Sequence, residues 1–166
     1  TVPMTLEHMI YHAQCVERAV ERALIVVDMP FGTYQGNSKL ALESAIRIMK
    51  ESGAHAGKLE GGAEIVESIE RILTAGIPVM GHVGLMPQSV NSLGGYRARG
   101  RGHAEATRLI SDARAIADAG VSSLVVEGVM EPLAKEITNA VAGPTIGIGA
   151  SALCDGQVLV TEDMLG

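Results

Sequence analysis

At 166 residues the chain is one domain or part of one, and a hydrophobic content of 47% with a mean hydropathy of +0.25 gives it material for a sizeable core. No apolar run approaches bilayer-spanning length, so the surplus reads as buried parallel strands and not as membrane segments. A net charge of −6 and an aromatic content of 2% exclude a nucleic-acid surface, which needs a basic stripe and stacking platforms.

In chain order, apolar residues at three- and four-residue spacing predict a helix over 5–21. His8 and His12 share one of its faces, but with His55 and His103 they show no coherent metal-ligand spacing, and chance on a helix surface accounts for them. Cys15 lies far from Cys154, with no CxxC pattern and no signal peptide nearby, which points to a reduced cytoplasmic setting. A strand over 23–28 follows, in which Leu24-Ile25-Val26-Val27 runs into Asp28. Helix 38–52 then ends on Gly53, a residue suited to the left-handed cap that turns a helix into a strand.

The strand over 54–60 carries Gly57-Lys58-Leu59-Glu60-Gly61-Gly62. Residues i and i+2 of a strand project to the same face, so Lys58 and Glu60 point together into whatever that face lines. Two charges are costly to bury there without a ligand, although a structural salt bridge is the rival reading. Helix 62–75 leads to strand 77–83, where His82 follows Pro78-Val79-Met80-Gly81. Its reading is a hydrogen-bonded neighbour of the site or a packing residue, in preference to a metal ligand. Helix 103–119, strand 121–127 with Glu127 at its end, helix 130–142 and strands 144–148 and 157–161 complete the order. No cation stands near Glu127 in sequence.

Helix-ending glycines at 53, 76, 120 and 143 are spaced by 23, 44 and 23 residues, so one strand–helix unit is stretched by an inserted loop. That loop holds Gly94-Gly95-Tyr96-Arg97-Ala98-Arg99-Gly100-Arg101-Gly102. Its arginines either grip an anionic ligand or belong to a solvated flexible loop. Strict alternation of strand and helix argues a parallel sheet with helical crossovers. Asp28-Met29-Pro30-Phe31-Gly32 is no glycine-rich phosphate loop, which disfavours a doubly wound sheet. Ionisable groups at the carboxyl ends of several strands favour a barrel, with about six strands where closure needs eight. Gly149 to Gln157 leaves little room for a crossover helix.

Val27-Asp28-Met29-Pro30-Phe31, Gly57-Lys58-Leu59-Glu60-Gly61-Gly62, Gly81-His82-Val83-Gly84-Leu85-Met86-Pro87-Gln88-Ser89, Gly94-Gly95-Tyr96 with Gly100-Arg101, and Gly147-Ile148-Gly149-Ala150 before Asp155-Gly156-Gln157 closely resemble the 3-methyl-2-oxobutanoate (ketopantoate) hydroxymethyltransferase family. The resemblance runs in order over essentially the whole chain. It implies an α/β fold, a (β/α)8 TIM barrel of the phosphoenolpyruvate/pyruvate type, with residues 1–166 forming a single partial domain that contains strands three to eight. On that reading the first two strands, and an Asp-Ser motif that supplies a metal ligand and a substrate contact, precede Thr1, and a tail follows Gly166. Arg99 departs from the glutamine of many relatives.

The same resemblance implies that Asp28 binds both metal and substrate, that Glu60 completes the metal site, that Lys58 binds the 2-oxo acid and that Glu127 is the proton acceptor. It implies Mg²⁺, 5,10-methylenetetrahydrofolate as the one-carbon donor, 2-dehydropantoate as product, and a homo-oligomer, decameric in the family. Two other readings stay open: another Mg-dependent C–C lyase or aldolase acting on 2-oxo acids, and a non-catalytic barrel fragment. A divalent cation chelated by carboxylate and ketone oxygens would stabilise the enolate of a branched 2-oxo acid, and a buried carboxyl with a raised pKa suits the base.

Overall fold

The computed structural model describes residues 2–95 and 97–166; Tyr96, part of the Gly94-Gly95-Tyr96 motif, lies outside the described residues. The first helix, α1 (Leu6–Glu17), starts at Thr5, whose Oγ1 accepts from the backbone N–H of His8 while His8 Nδ1 accepts from the Thr5 N–H. This reciprocal cap gives His8 a structural place. Strand β1 (Val26–Asp28) leads to α2 (Ser38–Ser52), capped by Asn37 at its start and by Gly53 with φ +73° at its end. Strand β2 (Ala56–Glu60), a single turn at Ala63–Ile65 and α3 (Val66–Thr74) follow. Strand β3 (Val79–Gly84) opens the longest connection, which holds a turn at Pro87–Ser89 and the short α4 (Val90–Leu93) before α5 (His103–Asp118). The chain closes with β4 (Ser123–Glu127), α6 (Glu131–Ala140), β5 (Thr145–Ile148), β6 (Gly156–Gln157) and α7 (Thr161–Leu165).

The six strands form one parallel sheet in sequential order β1-β2-β3-β4-β5-β6, with α1, α2, α3, α5 and α6 packed on its outer side. This is a half-barrel. Alternation sorts each strand into two faces. Val27, Leu59, Val83 and Val126 turn outward and are at most 4% exposed, meeting Ile48, Ile69, Ile72, Ile116 and Ile137, which are fully buried. Each such side chain contributes roughly 1.5–3 kcal/mol. The residues between them line the open inner face.

Three elements differ from the sequence reading. Helix α1 stops at Glu17, not at residue 21, because the polar residues that follow (Arg18, Glu21, Arg22) stay exposed. Strand β1 begins only at Val26 because the Ile25 N–H donates to a side chain, His55 Nδ1 at 2.9 Å, while its carbonyl accepts from the N–H groups of His55 at 2.9 Å and Ala56 at 3.3 Å. The last strand spans two residues in place of 157–161; β5 offers only four residues, and the Val158 N–H bond to Gly147 O is the last it provides. Val158, Leu159 and Val160 are left 44–65% exposed.

The connection from β5 to β6 holds no helix, as its length suggested. Asp155 Oδ2 accepts from both the backbone N–H and the hydroxyl of Thr145, and Gln157 Nε2 donates to Ser151 O. This clasp folds the linker back on β5 in the place of a crossover helix. Among the described residues no helix is long and apolar enough to cross a membrane.

Candidate functional site

Strand register brings the ionisable groups together. Asp28 pairs with Lys58 across β1 and β2, Glu60 with His82 across β2 and β3, and Gly84 with Glu127 across β3 and β4. Asp28, Lys58, Glu60, His82 and Glu127 therefore all reach one cavity of about 500 Å³ on the inner face. Its floor is apolar, from Val26, Met80, Val125 and Ile146. All five residues singled out in the sequence meet here.

Lys58 and Glu60 do share a face, yet the ion pair is made across strands: Lys58 Nζ lies 3.0 Å from Asp28 Oδ1. Lys58 Nζ also lies 3.1 Å from His82 Nδ1. His82 Nε2 is 2.9 Å from the Leu85 carbonyl, which can only accept, so Nε2 carries the proton and Nδ1 accepts from the lysine. Burial, followed by the Lys58 ammonium, pushes the His82 pKa down to about 3, so the ring is neutral. The approach of its Nε2 to Glu127 Oε2 at 3.3 Å is accordingly not an ion pair.

Burial pushes the Glu127 carboxyl up to about 7; Lys58 opposes that shift, and the negative charges of Glu60 and Asp28 add to it. Lys58 is thus a cation close to Glu127 in space that the sequence did not place there. Glu60 is buried, and burial raises its pKa against a hydrogen bond from the Gln88 N–H to Oε2. At Gly84, φ is +102° and a Cβ would strike the Glu127 carbonyl, so only glycine lets β3 pass this close to the end of β4.

Two further residues at this rim were not read from the sequence. Tyr34, fully buried, places its hydroxyl against the backbone of Glu60 and against Gln88, and Gln88 reaches on to Met29 O. For Tyr34 the only available signal was a tyrosine between Gly32 and Gly36, whereas Gln88 stands in the Gly81–Ser89 motif of the family resemblance, which gives it no role. Of the loop arginines, Arg97 and Arg101 are exposed, while Arg99 is tied down: its N–H donates to Gly128 O, its carbonyl accepts from Met130 N, and its guanidinium pairs with Glu105 at 2.6 Å. Arg99 borders a separate cavity of about 370 Å³ on the outer side, under α5.

A family model for ketopantoate hydroxymethyltransferase matches residues 1–166. The chain belongs to the ketopantoate hydroxymethyltransferase family. Among its relatives, proteins named 3-methyl-2-oxobutanoate hydroxymethyltransferase from Novosphingobium aromaticivorans and Salinibacter ruber are 59% and 57% identical over all 166 residues. The chain spans 57% and 63% of their lengths. A Burkholderia cenocepacia protein of the lyase/mutase class superposes with a TM-score of 0.67 over 97% of this chain and 63% of its own, at 20% identity, which shows the fold alone.

Ketopantoate hydroxymethyltransferase family membership raises the question of a metal ion. Among the described residues no group of three histidine, cysteine or acidic side chains is arranged to hold one. Asp28 and Glu60 nevertheless offer two hard carboxylates to one cavity, and Glu60 Oε1 accepts no hydrogen bond among the described residues. Mg²⁺ usually takes one or two carboxylates and keeps several waters. The donor set fits such an ion.

Proposed function

We propose that the whole protein transfers a hydroxymethyl group from 5,10-methylenetetrahydrofolate to 3-methyl-2-oxobutanoate, giving 2-dehydropantoate and tetrahydrofolate. The observation that carries this reading is a carboxyl with a pKa near 7, Glu127, facing the Lys58–Asp28 pair across one cavity. A base that removes a proton beside a ketone works best with a pKa near the operating pH. Lys58, held by Asp28 and His82, is oriented to receive the anionic 2-oxo acid. Glu127 takes the C3 proton, and the resulting enolate carbon forms its new bond to the one-carbon unit that the folate delivers. One water balances the reaction, its oxygen becoming the product hydroxyl. Mg²⁺ held by Asp28 and Glu60 would supply positive charge that polarises the carboxylate and ketone oxygens.

The same proposal takes the protein to be a cytoplasmic homo-oligomer. Two unpaired cysteines, Cys15 and Cys154, and the exposed Leu159, Met164 and Leu165 support that part.

Exchange of the C3 hydrogen of 3-methyl-2-oxobutanoate with deuterated solvent, followed by NMR without folate, tests the base. Glu127→Gln should suppress exchange by about a hundredfold or more. Wild-type exchange in that variant would assign proton removal elsewhere. Product formed only when methylenetetrahydrofolate is present would separate this reaction from other C–C bond chemistry on 2-oxo acids.

A further inference from the structure

Tyr34 lies in the loop after β1, Gln88 in the loop after β3, and Glu60 at the end of the strand between them. The three meet in a buried polar node. The Glu60 N–H donates to the Tyr34 hydroxyl at 3.0 Å, and that hydroxyl lies 3.1 Å from Glu60 O and 3.0 Å from Gln88 Oε1. The orientation of the Gln88 amide is forced. Its Nε2 faces the Met29 carbonyl at 2.8 Å, which only accepts, so Oε1 must face Tyr34 and the Nε2 of Gln35. The backbone of Tyr34 is held as well, since Ser68 Oγ donates to the Tyr34 carbonyl at 3.2 Å. Tyr34 is 0% exposed and Gln88 9%, and neither side chain lines the inner cavity. The backbone N–H of Gln88 takes Glu60 Oε2 at 3.0 Å. One carboxylate oxygen is thereby fixed by the node, and the other, Oε1, accepts no hydrogen bond among the described residues on a side chain that lines the cavity.

We propose that Tyr34 and Gln88 are positioning residues, whose hydrogen-bond node locks the Glu60 backbone and carboxylate so that Oε1 is presented to a divalent cation in a single orientation. This rests on the reading that Glu60 holds such a cation. The node ties the end of β2 to the loops that follow β1 and β3, so it couples the metal-facing carboxylate to the loop that begins directly after Asp28. Outer partners of metal ligands commonly set affinity by about 10–100-fold without touching the metal.

The experiment is a double-mutant cycle on the whole protein, read as Mn²⁺ affinity by electron paramagnetic resonance without substrate, with circular dichroism confirming the fold. Tyr34→Phe, which keeps the ring and removes the hydroxyl, should weaken Mn²⁺ binding by about tenfold. Glu60→Gln should weaken it further. In the Glu60→Gln background, Tyr34→Phe should have no additional effect, because its influence passes through Glu60. Gln88→Leu, the independent variant should the phenylalanine protein misfold, should follow the same pattern. Additive losses, or full affinity in folded Tyr34→Phe beside a weakened Glu60→Gln, would overturn the positioning role and leave the metal site standing. Unchanged affinity in Glu60→Gln would overturn both.

Discussion

Glu127 carries a cost that can be measured without any ligand. Its ordinary carboxyl value of 4.5 rises to about 7 in the folded chain, first through burial. An acid whose folded pKa is raised holds its proton more tightly when folded. The stability it contributes is present in full below 4.5 and is lost as pH rises through about 7. At 1.36 kcal/mol per pH unit, the interval gives a ceiling of about 3 kcal/mol. Residual exposure of the side chain, 21%, keeps the realised figure at or below that ceiling. Glu127→Gln mimics the protonated form, so it should track the wild type at pH 4.5 and exceed it at pH 8 by up to about 3 kcal/mol. Urea unfolding of both proteins at pH 4.5, 6 and 8 supplies the comparison. A constant difference between them across that range would refute the raised pKa and, with it, the electrostatic basis for a base at this position.

Mg²⁺ titrated calorimetrically should bind Glu60→Gln and Asp28→Asn at least tenfold more weakly than wild type, and equal affinities would remove both carboxylates from the metal. Gly84→Ala should lower stability by about 1–3 kcal/mol through its positive φ and the clash with the Glu127 carbonyl. The same variant should slow C3 exchange, and a wild-type melting temperature with wild-type exchange would contradict the close approach. The 166-residue chain alone should self-associate, because β1 and β6 present unpaired edges among the described residues and Leu159 and Leu165 are 65% and 75% exposed. A monodisperse monomer in light scattering would oppose that expectation.

What could be read in advance was what strand periodicity and chain order determine. Apolar runs that finish near Asp28, Glu60, His82 and Glu127 imply a shared rim once the strands are parallel, because parallel register aligns their ends. Register itself is not written locally. The partner of Lys58 is Asp28, 30 residues earlier, where sequence spacing offered Glu60, two residues away. Tyr34 and Gln88 were given no role because they meet each other 54 residues apart and otherwise bond to the backbone of Glu60 and Met29, and backbone partners leave no residue signature. Within the arginine loop Arg97 and Arg101 stand in solvent, whereas the backbone of Arg99 is stitched to Gly128 and Met130 and its guanidinium pairs with Glu105, contacts that sequence spacing does not reveal. The last strand was overestimated because Val158-Leu159-Val160 looks like a strand wherever it stands, while pairing depends on how many free groups a neighbour still has.

The sequential order of the sheet determines how the molecule can be divided. Every strand pairs only with the strand next to it in the chain, so a single backbone cut separates the pairings into two groups and interrupts one interface, without tangling the pieces. The connection between β3 and β4 offers such a cut with both of its ends anchored, and it opens the interface with the longest register, Met80–Gly84 against Ser123–Glu127. Gln88 anchors its beginning to Glu60 and Arg99 anchors its end to Gly128 and Met130, so each half keeps its own clasp when the exposed Gly94 between them is severed. Two separately made halves, residues 1–94 and 95–166, thus carry matching edges in β3 and β4 with no strand to exchange, and the rim that joins Glu60 to Glu127 is the seam along which they would recombine.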